Sequence, residues 1–337
     1  MRFFMVDFHH KTVLITGGAG FIGSNLAFYF QENFPTCKVV VFDCFRSEAT
    51  FSNGHLKSFG HFKNLIGFQG EVISGDINDE AAIAKLVAYR FDYIFHEAAI
   101  SDTTVLDQGM MIQTNVNAFK HILELAHQSG AVIVYASSAA TYGDAPSPQR
   151  IGYERPQNVY GFSKLAMEHT ARAFCVLHPK MSVVGLWYFN VYGPREYFKH
   201  KTASMALQLG LQILSGNKPR LFYGSEAIQR DFIYIDDVIQ ANLKAALCGK
   251  CGVYNVGTGN PRSFQEIADT LQQELGTSLG TDYFENPYVG AYQMHTQADI
   301  ALTCQDLGYR PSVSLEEGIK AYAPEIQRIY ESEVKRG

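Results

Sequence analysis

Three groups of side chains in this 337-residue sequence have the types and spacing for chemistry. Tyr160-Gly-Phe-Ser-Lys164 puts a phenol and an ammonium four residues apart, hence on one face of a helix. A positive charge beside a phenol favours the phenolate, so the pair points to acid–base work on an alcohol. Ser138 ends the apolar run VIVYASS, where its hydroxyl can hydrogen-bond a reacting oxygen. Gly17-Gly-Ala-Gly20-Phe-Ile-Gly23 joins an apolar run to an amphipathic stretch. In that setting Gly17 permits a tight turn, Gly20 lets a pyrophosphate approach the backbone, and Gly23 allows close helix–strand packing. The order glycine loop, strand-end serine, Tyr-x-x-x-Lys implies hydride chemistry with a bound dinucleotide.

Asp43 closes the next apolar run and suits the ribose hydroxyls of NAD. Arg46, with Lys57 and Lys63 in reach, suits the 2′-phosphate of NADP instead. Both cofactors stay open on these residues.

These groups need a scaffold, and the hydrophobic pattern supplies one. Near-continuous apolar runs at 12–16, 38–43, 71–74, 93–97, 132–138 and 182–189 read as strands covered on both faces. Helical periodicity falls between them at 21–34, 79–90, 111–129 and 160–177. The expectation is an α/β chain, a Rossmann doubly wound parallel sheet with a smaller interwoven C-terminal α/β substrate domain. Residues 10–190 plus 230–262 are assigned to the dinucleotide domain, and 191–229 plus 263–330 to the substrate domain. RDFIYIDDVIQANLKAAL and GVYNVGTG read as a return to the sheet, a strand, a helix and a strand. Helices are expected at 203–214 and 264–275, LFYG is strand-like, and the rest is a polar, Tyr-rich tail.

Composition excludes several classes. Twenty-eight Lys and Arg against 33 Asp and Glu leave a net charge of −5, unlike the basic face of a nucleic-acid binder. No apolar run approaches the ~20 residues needed to span a bilayer. MRFFMVDFHHK lacks a signal-peptide pattern, so a cytoplasmic protein is expected. The six cysteines read as free thiols. Cys248-Gly-Lys-Cys251 is half a zinc site without a second half, so no metal is expected; a helix end before a strand is the simpler reading. His96, in a strand, reads as a core residue.

The chain resembles the extended short-chain dehydrogenases, the NAD-dependent epimerases and dehydratases of sugar nucleotides. TGGAGFIGSN, IFHEAAISDTT, YASSAATYG, NVYGFSK, YFNVYGPRE, LFYGSE, QRDFIYIDDV, NVGTG and YQMHTQADI carry the likeness, from Lys11 to about Tyr322. HEAAISDTT, SSAATYG and the TQAD stretch resemble the branch that epimerises ADP-heptoses for lipopolysaccharide core synthesis. The resemblance implies NADP, with NAD as the alternative, and oxidation of C6″ to a ketone followed by re-reduction on the opposite face. It implies a second acid or base, a lysine after GPRE. Ungapped counting places it at Lys199, with Lys201 the neighbouring alternative.

Also implied are cofactor contacts from Phe21, Ile22, Asp76, Ile77, Glu97, Ala98, Ala99, Ile100, Ser101, Asn115, Val191 and Lys199. Substrate contacts fall to Ser138, Asn190, Ser204, Gln208, Phe222, Tyr223, Gly224, Ser225, Arg230 and Tyr292. Arg230 would clamp the diphosphate, and position 208 departs from the histidine common in the family. A homo-oligomer is implied. A UDP-hexose 4-epimerase is the competing function. The dehydratase branch carries an Asp-Glu pair after the strand-end hydroxyl, where this chain has Ala139 and Ala140. A binding scaffold that has lost its chemistry would not be expected to keep both Tyr160 and Lys164.

Overall fold

A computed structural model describes residues 8–286 and 294–335. Strands β1 (Thr12–Thr16), β2 (Lys38–Asp43), β3 (Glu71–Ser74), β4 (Tyr93–His96), β5 (Val132–Ser138) and β6 (Val183–Tyr188) lie on the apolar runs. Shorter strands follow at β7 (Asn190–Tyr192), β8 (Arg220–Phe222), β9 (Gln229–Arg230) and β10 (Phe232–Tyr234). They are succeeded by β11 (Gly252–Val256), β12 (Arg262–Ser263) and β13 (Asp282–Phe284). The helices are α1 (Phe21–Asn33), α2 (Glu80–Leu86), α3 (Gln108–Ile112), α4 (Ala118–Ser129) and α5 (Val159–Leu177). In the second half come α6 (Met205–Leu214), α7 (Ile235–Leu247), α8 (Phe264–Glu274), α9 (Ala301–Leu307) and α10 (Leu315–Ile329).

The central sheet is seven-stranded and parallel, in the order β11–β6–β5–β4–β1–β2–β3. Strand order reverses between β1 and β4, and at such a switch point the diverging connections open a crevice at the carboxyl ends. Alternation splits the apolar runs between two faces. Val13, Ile15, Val39, Val41, Val184 and Leu186 pack on one side with Leu26 and Phe30 of α1 and Val238 of α7. Leu14, Val40, Ile94, Ile133 and Trp187 pack on the other with Phe119 and Ile122 of α4 and Met167 of α5.

The C-terminal elements are woven in. Helices α6, α8 and α10 pack on one another, and their apolar faces join the first sheet face in one core. Two expectations change. Phe232–Tyr234 pairs with β7 outside the central sheet, and only β11 returns to it. The polar tail holds α9 and α10, the latter started by a reciprocal cap between Ser314 and Glu317.

Among the described residues no helix is long and apolar enough to cross a membrane. Cys248 closes α7 and Cys251 precedes β11, the helix end before a strand that was the simpler reading, and all six cysteines are free thiols.

Candidate active site

The glycine turn is fixed by what surrounds it. Gly17 has a φ of 67°, and a β-carbon there would lie 2.7 Å from the Ala98 nitrogen. A β-carbon on Gly23 would collide with the Gly17 carbonyl oxygen. The loop is thus folded tightly against the end of β4. No side chain caps the N-terminus of α1, so its first amides can meet an anion.

A cavity of about 800 Å³ opens in front of this turn. It is lined by Gly17, Gly20, Phe21, Ile22, Gly23, Asp43, Arg46, Asp76, Ile77, Glu97, Ala98, Ala99, Ile100, Ser101, Tyr160, Lys164 and Lys199. Asn115 stands behind the wall, fully buried. Its amide is spent on the Ile100 backbone, Met111 and Ser163, so it braces the wall from within. The volume, the uncapped helix start and the glycine backbone fit a dinucleotide.

Asp43 accepts from the Ala19 amide at 3.0 Å and the Phe45 amide at 2.7 Å, so it also shapes the glycine turn. Burial raises its carboxyl, and those two amides pull the other way. Arg46 donates to His200 Nε2 at 2.9 Å and lies over Phe198. Lys57 lines the same cavity, whereas Lys63 pairs with Glu333.

Tyr160 and Lys164 start α5, whose first turn is capped by Asn158. Both are buried, and the ammonium lies 5.9 Å from the phenol ring centre and donates to the Ala136 carbonyl at 2.8 Å. Burial pushes Lys164 down to about 8, against the opposing pull of Glu97. Burial also raises the Tyr160 phenol; a hydrogen bond with Ser138 lowers it and the charge of Glu97 raises it. The lowering of the phenol expected from Lys164 is therefore not what dominates here. Desolvation of the phenolate is the largest influence. Ser138, half-buried at the strand end, sits just beyond the cavity wall beside Tyr160.

Lys199 and Lys201 lie in the turn Tyr197–Thr202, which kinks at His200 with a φ of 51°. The kink separates them. Lys199 lines the cavity with its ammonium 5.5 Å from the Phe21 ring centre, while Lys201 is exposed. Burial lowers the Lys199 ammonium and Glu196 opposes it. Glu196 is itself buried and held by Gly193 and Ser204.

The remaining expected residues lie outside this cavity. Asn190 and Val191 run along β7 and Ser204 caps α6. Gln208 binds the Ala203 and Lys201 carbonyls. Phe222 ends β8, and Tyr223, Gly224 and Ser225 form the turn after it, with Tyr223 and Gly224 exposed and Ser225 buried. Arg230 is buried over Phe264 and donates to the Gln229 carbonyl. Asp231 gives its carboxylate to Thr258, Gly259 and Ala298. Tyr292 lies outside the described residues. His96 is a core residue as expected, stacked on Phe119 and bonded to Thr16, and burial drives its imidazole down to about 3.

The sequence reading missed Tyr188, which lines the cavity from the end of β6 and donates to Glu97 at 2.9 Å. Its place at a strand's carboxyl end was the available signal. It also left Phe51, Leu56 and Ser58 unassigned, which line the cavity from the loop at 44–60 that carries Arg46 and Lys57.

The family model for the NAD dependent epimerase/dehydratase family matches residues 13–257. ADP-L-glycero-D-manno-heptose-6-epimerase of Helicobacter pylori is similar at 49% identity, over 97% of this chain and 99% of that one, with a TM-score of 0.87. UDP-glucose 4-epimerase of Thermotoga maritima, solved with UDP-glucose, shares 26% identity over 94% and 99% of the two chains, with a TM-score of 0.81. UDP-glucuronic acid 4-epimerase of Bacillus cereus, in complex with UDP-glucuronic acid and NAD, shares 26% over 95% and 100%, with a TM-score of 0.79.

Proposed function

This chain belongs to the NAD dependent epimerase/dehydratase family, and on that premise we propose that it interconverts ADP-D-glycero-β-D-manno-heptose and ADP-L-glycero-β-D-manno-heptose by inversion at C6″. The observation that carries this reading is that Tyr160 and Lys199, from distant parts of the chain, line one cavity with the glycine turn. An acid–base group on each side of the sugar carbon lets the hydroxyl be deprotonated in one orientation and the ketone oxygen be reprotonated in the other, which suits inversion. The heptose substrate is supported by the 49% identity to the H. pylori enzyme of that name.

A nicotinamide dinucleotide supplies reversible hydride acceptance from a secondary alcohol. Gly17, Gly20, Phe21, Ile22 and Gly23 would hold its pyrophosphate, and Asp76, Ile77 and residues 97–101 the rest of its length. NADP is favoured over NAD in this reading. Arg46 and Lys57 bring two cations to the wall, while Asp43 already accepts two backbone amides.

On one face of the sugar carbon, the Tyr160 phenol oxygen exchanges the hydroxyl proton, with Ser138 orienting the oxygen that reacts. Lys164, still largely protonated below about 8, offsets the negative charge on that phenol. On the other face the Lys199 amine exchanges the proton, its basicity lowered by burial and restrained by Glu196. Residues 191–229 plus 263–330, with Arg230 as a diphosphate clamp, form the substrate side, and 10–190 plus 230–262 the dinucleotide side.

The test is incubation with ADP-D-glycero-β-D-manno-heptose, following the C6″ epimers by NMR. Interconversion is expected, and Tyr160→Phe should slow it by about a hundredfold or more. No interconversion, with turnover of UDP-glucose instead, overturns the substrate assignment.

A further inference from the structure

Glu97 is a carboxylate of the cavity wall to which the proposed reaction gives no acid–base role. It stands in the cavity wall just after β4, half-buried. Its hydrogen bonding is directional. Asn242 on α7 donates to the Val238 carbonyl at 2.9 Å, which fixes the amide's NH2 side, and the same nitrogen donates to the Tyr188 oxygen at 2.9 Å. Tyr188 therefore has its own hydrogen left for Glu97 Oε1, at 2.9 Å. That commits Oε1 to accepting, so any proton the carboxyl takes sits on Oε2. Asn242 and Tyr188 are both buried, and the chain Asn242–Tyr188–Glu97 joins α7, β6 and the end of β4 at one point of the wall.

The charged and titratable groups facing Glu97 are those of the reaction. From α5, Lys164 and Tyr160 both feel its charge, and from β6 Tyr188 holds it. On its own strand His96 turns away to Thr16. An ionised Glu97 supports the Lys164 ammonium and disfavours the Tyr160 phenolate.

Building on the acid–base roles assigned above, we propose that Glu97 is a positioning residue for charge: it takes and releases a proton on Oε2, and so sets the protonation of the Tyr160–Lys164 pair. Burial supports this by lifting the carboxyl to about 7, where Tyr188 and Lys164 restrain it. With the proton on, the phenolate is easier to form. With the proton off, the ammonium is held and the phenol keeps its hydrogen.

The first test reads the protein without substrate. Infrared difference spectra of the purified chain should show a protonated-carboxyl band lost as pH rises through about 7. The band should be missing in Glu97→Gln, and in Tyr188→Phe its loss should move to higher pH, because an acceptor without its donor binds its proton more tightly. The second test is the pH profile of epimerisation. Glu97→Gln should move the acid limb to lower pH by about half a unit or more. Tyr188→Phe should move it the same way, and should add nothing in the Glu97→Gln background.

Absence of a band that depends on Glu97, or a uniform loss of kcat with an unmoved limb, overturns the proposal. Failure of the heptose assay with the band present refutes only the substrate, since the spectra need none.

Discussion

A lysine that serves as acid or base must give up its proton near neutrality, and burial is what brings an ammonium toward that range. Lys199 is moved in that direction: burial lowers it, and buried Glu196 opposes the shift. Lys201 is two residues away and exposed. Lys199→Ala should therefore cut epimerisation by about a hundredfold or more, while Lys201→Ala stays within about twofold. The NMR assay of C6″ epimers measures both, and equal losses would place the second acid–base group elsewhere. Counting along the sequence left these two lysines undivided, because it does not show the kink at His200, a residue bonded to Arg46 from far along the chain. The glycine turn, Tyr160 and Lys164 were legible for the opposite reason: their geometry is local to one loop and one helical turn. Tyr188 and Glu97 were not legible as a pair, since the two meet only when β6 and β4 lie in one sheet.

At the next scale the loop 44–60 acts as a cover whose hold can be named. Phe51 packs with Ile100, Val105, Met111 and Tyr160. Asp102, buried in the loop after β4, accepts from Asn53 and Thr104 and lies 2.6 Å from His55 Nδ1. Burial pushes that carboxyl up, but its bonds to Thr104, His55 and Asn53 hold it below the usual range. Removing an acceptor that ties two loops should cost each bound dinucleotide about tenfold or more in affinity. Asp102→Ala should thus weaken NADP and NAD alike, whereas Arg46→Ala should weaken NADP selectively. Titration calorimetry with both dinucleotides separates the two effects, and an unselective loss in Arg46→Ala would remove the argument for NADP. Most elements were legible, with β1, β2, β3 and β5 at their expected bounds, because a parallel sheet buried on both faces writes itself as apolar runs. The π-turn at Gln113–Asn117 was not legible, since Asn115 reaches across to Ile100 to form its bonds. Helix α10 carries a cap and apolar residues at Leu315, Ile319, Tyr322 and Ile326, with Pro324, a residue unfavourable in a helix interior, within it.

For the molecule as a whole, groups made ready for chemistry leave a mark on stability. Glu97 is lifted from 4.5 to about 7, so the folded chain binds that proton more tightly than the unfolded one. Its contribution is complete below 4.5 and is lost as pH rises through about 7. Lys164 is lowered from 10.5 to about 8, so the folded chain binds that proton less tightly. Its contribution is present above 10.5 and is lost as pH falls through about 8. The two effects meet between these values, close to the neutral pH at which Glu97 titrates and Lys164 still holds its charge. The fold bears an electrostatic cost there, in the manner of sites that trade stability for activity. Glu97→Gln should then raise the melting temperature on the alkaline side of about 7, with the gain fading as pH falls from about 7 and gone below 4.5. Thermal unfolding followed across that range distinguishes this from a packing effect. A gain of equal size at every pH would mean that the glutamine merely fits better, and that the charge of Glu97 carries no cost to the fold.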